Sequence, residues 1–458
     1  MLAAGVKIAI FAVIYNLYMY TNKDIWKVSY PILLGLLAQN VINVTDTAFL
    51  GRVGEVELGA SAMGGLLYIC VYIIAYGFST GSQILMARRN GEGRYREVGP
   101  IMIQGSAFLL LLATFIFALF QVFTEPIVRL IVSSDAIYEQ TCVYMDWRIW
   151  GFFFSFLIVM FRALYIGITK TKVLTVNAFL MAIVNIVLDY GLVFGKLGLP
   201  EWGIKGAAVA SVCAEAFSLL FLVVYTFLKV DGKKYGWDRG FHLNMTLLGR
   251  ILSISSFTML QYFLSMGIWF VFFMALERLG QRQLAIANIV RSIYVILLIP
   301  VQALSTTANS LVSNLIGSGG VQHVMQLIRR ISLMSLSIVA LCVVFMMLCP
   351  RLWLSIYTNE EALLVESVPS IYVIGIAMLI SSVANIYFSG VSGTGNTQAA
   401  LYLESAILVI YGLYIFGIAW WLRAPVSICF TTELVYYSLM LAASLIYLKK
   451  AKWQNKKI

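Results

Sequence analysis

Long apolar runs recur along the whole chain, separated by short segments that contain charged residues or turn formers. About 20 apolar residues in a helix cross the ~30 Å hydrocarbon core of a bilayer, and each run reaches that length. The runs lie near residues 26–50, 57–86, 100–124, 138–166, 173–195, 204–228, 248–276, 284–314, 328–349, 368–392, 398–421 and 425–448. This pattern predicts an all-α membrane protein with twelve transmembrane helices.

The two halves of the chain repeat one another. When the first half is laid over the second without gaps, GFSTGSQ (77–83) falls on ALSTTAN (303–309) and GEG (91–93) on GSG (317–319). Both copies run in the same sense, which indicates a parallel repeat of two six-helix lobes with a substrate site between them. The predicted domains are an N-terminal segment without an assigned role (1–24), an N-lobe of helices 1–6 (25–229), a cytoplasmic linker (230–247), a C-lobe of helices 7–12 (248–448) and a basic cytoplasmic tail (449–458).

Composition and charge support a membrane location. The chain is 61% hydrophobic and only 12% charged, which excludes a water-soluble domain of this length. Most of the basic residues behind the net charge of +11 lie at the termini and in the loops after even-numbered helices. The positive-inside bias then predicts a multi-pass protein of the plasma membrane, the inner membrane in a bacterium, with both termini in the cytoplasm.

Cysteine and histidine usage narrows the chemistry. The six cysteines are scattered through apolar runs without CxxC spacing, and His242 and His323 are the only histidines. Zinc, iron–sulfur and disulfide frameworks are therefore not expected, nor is a membrane enzyme, which would need converging catalytic groups. Because the basic residues are dispersed among loops, we expect no nucleic-acid partner. We expect a monomer in membrane lipid without a cofactor.

Helix 1 contains a polar face. Gln39, Asn43 and Asp46 lie at i, i+4 and i+7, so they point in one direction. An Asp within a membrane helix is costly and normally faces a bundle interior or a watery cavity. Asp46 is therefore a candidate for an ion or substrate pathway, with a structural Asp at a helix end as the alternative.

A second polar pair lies in helix 5. Asn185 and Asp189 are four residues apart and point the same way, and Ser211 follows in the small-residue start of helix 6. Two carboxylates, an amide oxygen and a hydroxyl are hard-oxygen ligands suited to a small cation such as Na⁺, with Asp46, Asn185 and Asp189 as the ligands. Two neighbouring carboxylates could equally hold one shared proton. In the repeat Asp46 falls on Phe272, so only the first half keeps this acidic site.

Other polar residues within the helices are assigned less specific roles. Pro31 permits a kink in helix 1. Arg148 has a candidate ion-pair partner in Asp146, and Glu215 and Glu404 either line a cavity or pair with a polar neighbour. The residues placed in the substrate cavity are Gln39, Asn43, Gln261, Ser382, Asn385 and Arg291.

Five motifs, in order, resemble the multidrug and toxic compound extrusion (MATE) family over residues 25–448. They are P-x14-D-T-x3-G in helix 1, GFSTGSQ…ARRNGEG at the end of helix 2, N-x3-D-Y in helix 5, G-x2-GAA-x2-S in helix 6 and SGVSGTGNT after helix 10.

The resemblance implies a V-shaped bundle of two lobes that exports organic, often cationic amphipathic, compounds in exchange for Na⁺ or H⁺. Asp46, Asn185 and Asp189 match the family's N-lobe cation site, Ser211 stands where a threonine is often found, and Pro31 matches the proline of the bending first helix. Because Gln261 and Ser382 replace the acidic residues of the NorM-like branch, a DinF-like mechanism centred on the N-lobe is favoured. The alternative is a lipid-linked oligosaccharide flippase of the same wider superfamily, which would hold pyrophosphate with arginines such as Arg148, Arg162 and Arg291.

Overall fold

A computed structural model of the chain describes residues 20–239 and 243–454. The long helices are α1 (Asn22–Val53), α2 (Glu55–Gly91), α3 (Val98–Ile131), α4a (Asp135–Arg148), α4b (Gly151–Gly167), α5 (Lys172–Phe194), α6 (Gly203–Lys229), α7 (Met245–Glu277), α8 (Gln281–Gly317), α9 (Val324–Leu348), α10 (Glu361–Gly393), α11 (Thr397–Phe416) and α12 (Thr431–Lys450). Short helices lie at Tyr95–Glu97, Gly232–Tyr235, Trp237–Arg239, Val321–His323, Pro350–Leu354 and Val426–Cys429, and α11 continues as a π-helical turn at Gly417–Trp421. These two ranges contain no β-strand.

The prediction of an all-helical protein with twelve spans is confirmed. In the described ranges eleven helices are long and apolar enough to cross a membrane, and the bent pair of α4a and α4b, counted as one span, makes twelve. Residues 1–19 of the predicted N-terminal segment, His242 in the linker and residues 455–458 of the basic tail lie outside the part of the chain that is described.

Helix 4 differs from the continuous helix that the apolar run 138–166 predicts. α4a and α4b meet at an angle of 55°. At the junction the Trp150 amide donates to the Trp147 carbonyl and the Phe152 amide to the Ile149 carbonyl, so the backbone switches locally from four-residue to three-residue spacing. This switch tightens the turn and redirects the axis. The bend leaves Arg148 at the last turn of α4a.

The described chain divides into two compact units. The N-unit comprises Leu34–Met86 and Arg94–Met259, and the C-unit comprises Ala87–Gly93, the residues from Leu260 onward and the described residues up to Leu33. Within the N-unit α5 packs along α6, and α4b packs against α3 and α6. Within the C-unit α10 is central and packs against α8, α9 and α12.

Close helix contacts in each unit depend on residues without a β-carbon. In the N-unit a Cβ on Gly81 of α2 would lie 2.5 Å from the Ser255 Cα of α7. Across the same contact Ser255 donates to the Phe78 carbonyl (3.0 Å) and Thr258 to the Gly77 carbonyl (2.7 Å). Such close approach lets side-chain hydroxyls satisfy backbone carbonyls of the neighbouring helix.

The repeated GEG and GSG motifs meet in the C-unit. A Cβ on Gly317 would lie 2.4 Å from the Arg88 carbonyl oxygen, and one on Gly91 would collide with the Asn314 carbonyl. Asn90 donates to the Asn314 side chain at 2.7 Å, and Arg88 donates to the Thr394 carbonyl at 2.9 Å. The last glycine of each motif lies two residues beyond the end of its helix in a left-handed conformation (φ 72° and 88°), which glycine adopts without strain.

Candidate cation site

Helices α1 and α5 form the candidate site by running side by side in the N-unit. Near one end a Cβ on Gly35 would touch the Ala178 Cβ at 3.8 Å, so the helix backbones are close. Beyond Asp46 the Phe49 ring packs edge-on against Phe194, with ring centroids 5.5 Å apart. Because these contacts fix how α1 is rotated relative to α5, the polar positions between them face each other.

Three predicted ligands lie together there. The carboxyl groups of Asp46 and Asp189 are interacting neighbours, and the Asn185 amide interacts with the Asp189 carboxyl. Asn185 and Asp189 are each only 1% exposed, and Asp46 is half-buried. One oxygen of Asp46, both oxygens of Asp189 and both amide atoms of Asn185 are nonetheless buried without a well-oriented hydrogen bond to any described residue.

These unsatisfied atoms determine what the site can bind. A buried polar atom without a partner costs roughly 1–3 kcal/mol, and a charged one costs more. Two facing carboxylates can relieve the cost by sharing a proton or by coordinating a small cation together with the Asn185 oxygen. The donor set fits either ligand. No group of three or more His, Cys, Asp or Glu residues arranged for a metal ion occurs among the described residues.

Arg148 is the basic group beside this cluster. Its Nη2 and Nη1 atoms lie 2.7 and 3.0 Å from the two carboxylate oxygens of Glu215 on α6. The guanidinium also stacks 3.6 Å from the centroid of the Tyr68 ring and acts electrostatically on Asp46 and Asp189. A fixed positive charge is thus held near the two aspartates, itself neutralised by a third carboxylate.

The sequence-based pairing of Arg148 with Asp146 is wrong. Residues two apart on a helix do not face each other, and here Asp146 is exposed while Arg148 is buried. Glu215, which the sequence leaves open between lining a cavity and pairing, is the true partner.

Sequence reasoning also misses two residues of this cluster. The Tyr68 hydroxyl lies within hydrogen-bonding distance of both Ser155 (2.8 Å) and Glu215 (3.1 Å). A Tyr on α2 and a Ser on α4b are common in membrane helices. Only the charges of Arg148 and Glu215 within apolar runs could have indicated this cluster.

The remaining candidates of the first half lie elsewhere. Ser211 is half-buried and forms no hydrogen bond with Asp46, Asn185 or Asp189. Gln39 and Asn43 are exposed on α1 of the N-unit. Pro31 lies within α1, which is a single helix from Asn22 to Val53, so the predicted kink stays a prediction.

The C-unit candidates differ in accessibility. Ser382 is fully buried, and its hydroxyl donates to the Leu379 carbonyl. Asn385 donates to the Ser381 hydroxyl at 2.9 Å, and Gln261 is buried. Arg291 is exposed, with its guanidinium 4.9 Å from the centroid of the Phe273 ring.

The expectation that only the first half carries a buried acidic site is incomplete. The C-unit also buries Glu404 and Glu433. Glu404 meets the expectation of a polar pairing through Ser265 and Tyr436. Glu433 lies in the first turn of α12, and no sequence-based prediction includes it.

Known proteins with similar sequences indicate the family to which this chain belongs. A family model described as MatE matches residues 31–191 and 258–416. Among curated relatives, a "Probable multidrug resistance protein NorM" of Pasteurella multocida is 26% identical over 55% of this chain and 52% of its own length. A protein of the same name from Synechocystis sp. is 25% identical over 71% of this chain and 69% of its own length. The matched region thus spans about half the length of the first relative. These names do not support the DinF-like assignment.

A solved structure agrees with the family match. The Vibrio cholerae MATE transporter VcmN, in its bent form, has a TM-score of 0.84 at 15% identity and covers 95% of this chain and 98% of its own. At this identity the likeness establishes the fold alone. The two segments that the family model matches make up more than half of the sequence. Together with the twelve-span fold, they show that this membrane protein belongs to the MatE family.

Proposed function

We propose that this protein exports organic compounds, chiefly cationic amphipathic ones, in exchange for H⁺ or Na⁺ by alternating access. The observation that carries the proposal is the facing pair of Asp46 and Asp189 with Asn185, whose buried oxygens form no well-oriented hydrogen bond with any described residue outside this group. An uncompensated acidic cluster within a membrane domain fits a transient cation better than a static structural role. The names of the curated relatives support multidrug efflux.

The mechanism follows from the charge of this cluster. When H⁺ or Na⁺ enters from outside, it neutralises Asp46 and Asp189, and a rearrangement of α1 helps to release the exported compound. Release of the cation to the inside restores negative charge, which attracts a cationic substrate. Each positive charge that moves inward down 100 mV contributes about 2.3 kcal/mol to the cycle.

Location and assembly are part of the proposal. We place the protein in the plasma membrane as a monomer, with both termini in the cytoplasm. The distribution of Lys and Arg supports this orientation. The site lies in the N-unit, so a mechanism centred on the first half is retained, while the DinF-like label is not.

The flippase alternative is the weaker proposal. It requires arginines that can hold a pyrophosphate group. Arg148 is instead engaged by both oxygens of Glu215 and by the Tyr68 ring. A neutralised guanidinium of this kind is poorly suited to an anionic headgroup.

Dye efflux from proteoliposomes tests the proposal. The purified protein is reconstituted, and an inward pH gradient or an inward Na⁺ gradient is imposed separately. One gradient is expected to drive efflux of a cationic dye, and Asp46→Asn and Asp189→Asn are each expected to abolish it, because the pair can no longer be charged and neutralised. The matched control is Asp24→Asn, which removes a carboxylate from the start of the same helix.

The control should retain wild-type efflux. Wild-type efflux in Asp46→Asn protein, with normal insertion and thermal stability, would overturn the coupling scheme. If neither gradient drives dye efflux by the unaltered protein, antiport itself is overturned.

A further inference from the structure

Two glutamates are buried in the C-unit without a basic partner. Glu404 on α11 is 3% exposed and Glu433 on α12 is 5% exposed. Neither forms an ion pair with any Lys, Arg or His of the described chain. Both lie within helices that span the membrane.

Glu404 is surrounded by hydrogen-bond donors from two helices. Its Oε1 atom accepts from the Ser265 hydroxyl of α7 at 2.5 Å and from the Tyr436 hydroxyl of α12 at 3.1 Å. The Gln261 side chain, one turn before Ser265, also interacts with this carboxyl group. The other oxygen, Oε2, is buried without a well-oriented hydrogen bond to any described residue.

Glu433 is held by tyrosines. Its two oxygens lie 2.9 Å from the Tyr411 hydroxyl of α11 and 3.1 Å from the Tyr294 hydroxyl of α8. Tyr294 and Tyr437 are hydrogen-bonded to each other. On the α10 side Ser381 and Asn385 form hydrogen bonds with Tyr437.

Tyrosine rings join the two glutamates into one cluster. The centroids of the Tyr436 and Tyr437 rings are 5.0 Å apart, and those of Tyr411 and Tyr436 are 5.7 Å apart. Tyr436 interacts electrostatically with the carboxyl groups of both Glu404 and Glu433. We call Glu404, Glu433 and these four tyrosines (Tyr294, Tyr411, Tyr436 and Tyr437) the glutamate–tyrosine cluster.

The charge state of the cluster follows from its burial. A carboxylate taken out of water without a counter-ion costs several kcal/mol, and neutral hydroxyl donors recover only part of that cost. A protonated carboxyl avoids the charge, and its O–H group can donate to a neighbour. The Oε2 atom of Glu404, which lacks a well-oriented hydrogen bond to a described residue, is where such a proton is best held.

We infer that the glutamate–tyrosine cluster is a second proton-binding site, in the C-unit and separate from Asp46 and Asp189. In the described arrangement Glu404 and Glu433 each hold a proton. The inference concerns proton binding and does not depend on the proposed coupling role of the N-unit site.

Arg291 of α8 lines the same small cavity as Glu433, together with Trp269 and Phe273. Its guanidinium lies 4.9 Å from the centroid of the Phe273 ring and forms no ion pair with a carboxylate of the described residues. Arg291 is therefore the basic group of that cavity that can pair with Glu433 when the carboxyl group loses its proton.

Infrared difference spectroscopy of the purified full-length protein in lipid nanodiscs tests the inference, with H⁺ as the ligand. At neutral pH we expect the carbonyl absorption of protonated carboxyl groups, with its shift in D₂O. Glu404→Gln and Glu433→Gln should each remove part of this band. Gln has the shape of a protonated Glu, so folding should be preserved.

Two further variants make the result decisive. Glu366→Gln removes an exposed glutamate that is ion-paired with Arg282, so it should leave the band unchanged. Tyr436→Phe keeps Glu404 but removes one of its donors, and it should shift the Glu404 component.

A neutral-pH spectrum that neither Glu404→Gln nor Glu433→Gln alters would show that both groups are ionised and would overturn the inference. If the Gln variants fail to fold, an unshifted band in Tyr436→Phe protein does the same. Asp46→Asn and Asp189→Asn spectra, recorded in parallel, separate failure of this site from failure of the N-unit site.

Discussion

Arg148 is the residue that contacts two other helices beside the acidic pair. It is held by Glu215 on α6 and by the Tyr68 ring on α2, and it acts at longer range on Asp46 and Asp189. Gly151 has no β-carbon, and one there would collide with the guanidinium and the Glu215 carboxylate. Because Arg148 and Glu215 neutralise each other, the pair can be buried beside the aspartates. The net charge of the site then depends on Asp46 and Asp189.

Removing one member of the Arg148–Glu215 pair should lower the stability of the protein more than removing both. Arg148→Met alone leaves a buried carboxylate and should lower the free energy of unfolding by about 3–5 kcal/mol. The double variant Arg148→Met, Glu215→Gln should recover most of that loss. Thermal unfolding in detergent, read as a double-mutant cycle, measures the coupling.

The exposed pair of Arg282 and Glu366 is the matched comparison. Glu366→Gln should leave the thermal unfolding temperature nearly unchanged, because solvent screens both charges. Equal losses in the single and double variants of the buried pair would contradict the account.

At the scale of elements, the contact between α2 and α7 depends on the absence of side chains. Gly77 and Gly81 lie one turn apart and face α7 backbone at Met259 and Ser255. The small contact surface lets the Ser255 and Thr258 hydroxyls reach α2 carbonyls. These hydrogen bonds stabilise the helix contact within a bilayer core that has no hydrogen-bonding groups of its own.

Gly81→Ala should therefore destabilise the N-unit. The added methyl group would lie 2.5 Å from the Ser255 Cα, which must move away, at a cost of about 1–3 kcal/mol. Gly65→Ala on the same helix meets no atom within 4 Å and should be neutral or stabilising by up to about 1 kcal/mol. Thermal unfolding of the two variants checks the difference, and equal stabilities would refute the close-contact explanation.

The break in the fourth span is a feature of a helix that sequence periodicity does not predict. The run 138–166 is apolar throughout and predicts one helix. The break at Ile149 and Trp150 arises from a local change of hydrogen-bond spacing that allows Arg148 to reach Glu215. That requirement comes from α6, a different helix, so no pattern within helix 4 could reveal it.

At the scale of the whole molecule, charge distribution is the feature that predicts orientation. The segment after α6 contains Lys233 and Lys234, whereas the loop between α5 and α6 contains Lys196 alone. If the positive-inside bias applies, the first lies in the cytoplasm and the second outside.

Cysteine labelling tests this orientation. In a cysteine-free background, Lys196→Cys should react with a membrane-impermeant thiol reagent added to intact cells. Lys233→Cys should react only after the membrane is opened. The reverse pattern would invert the proposed direction of transport, and labelling of both sites in intact cells would contradict a single orientation.

The number of spans, the internal repeat and the shared face of Asn185 and Asp189 could be predicted from the sequence alone. Each of these depends on local periodicity or on direct comparison of the two halves, and neither requires knowledge of how helices pack. The left-handed Gly93 and Gly319 at equivalent places explain why the repeat was visible in small residues.

Which side chains from different helices meet became known from the folded structure. It paired Arg148 with Glu215, placed Asp46 beside Asp189 and joined Glu404 to Glu433 through tyrosines. The physical reason is that such contacts depend on the rotation of each helix about its axis and on where two axes approach. Both are set by packing among many apolar residues of nearly equivalent hydrophobicity, so the sequence pattern does not distinguish one rotation from the next.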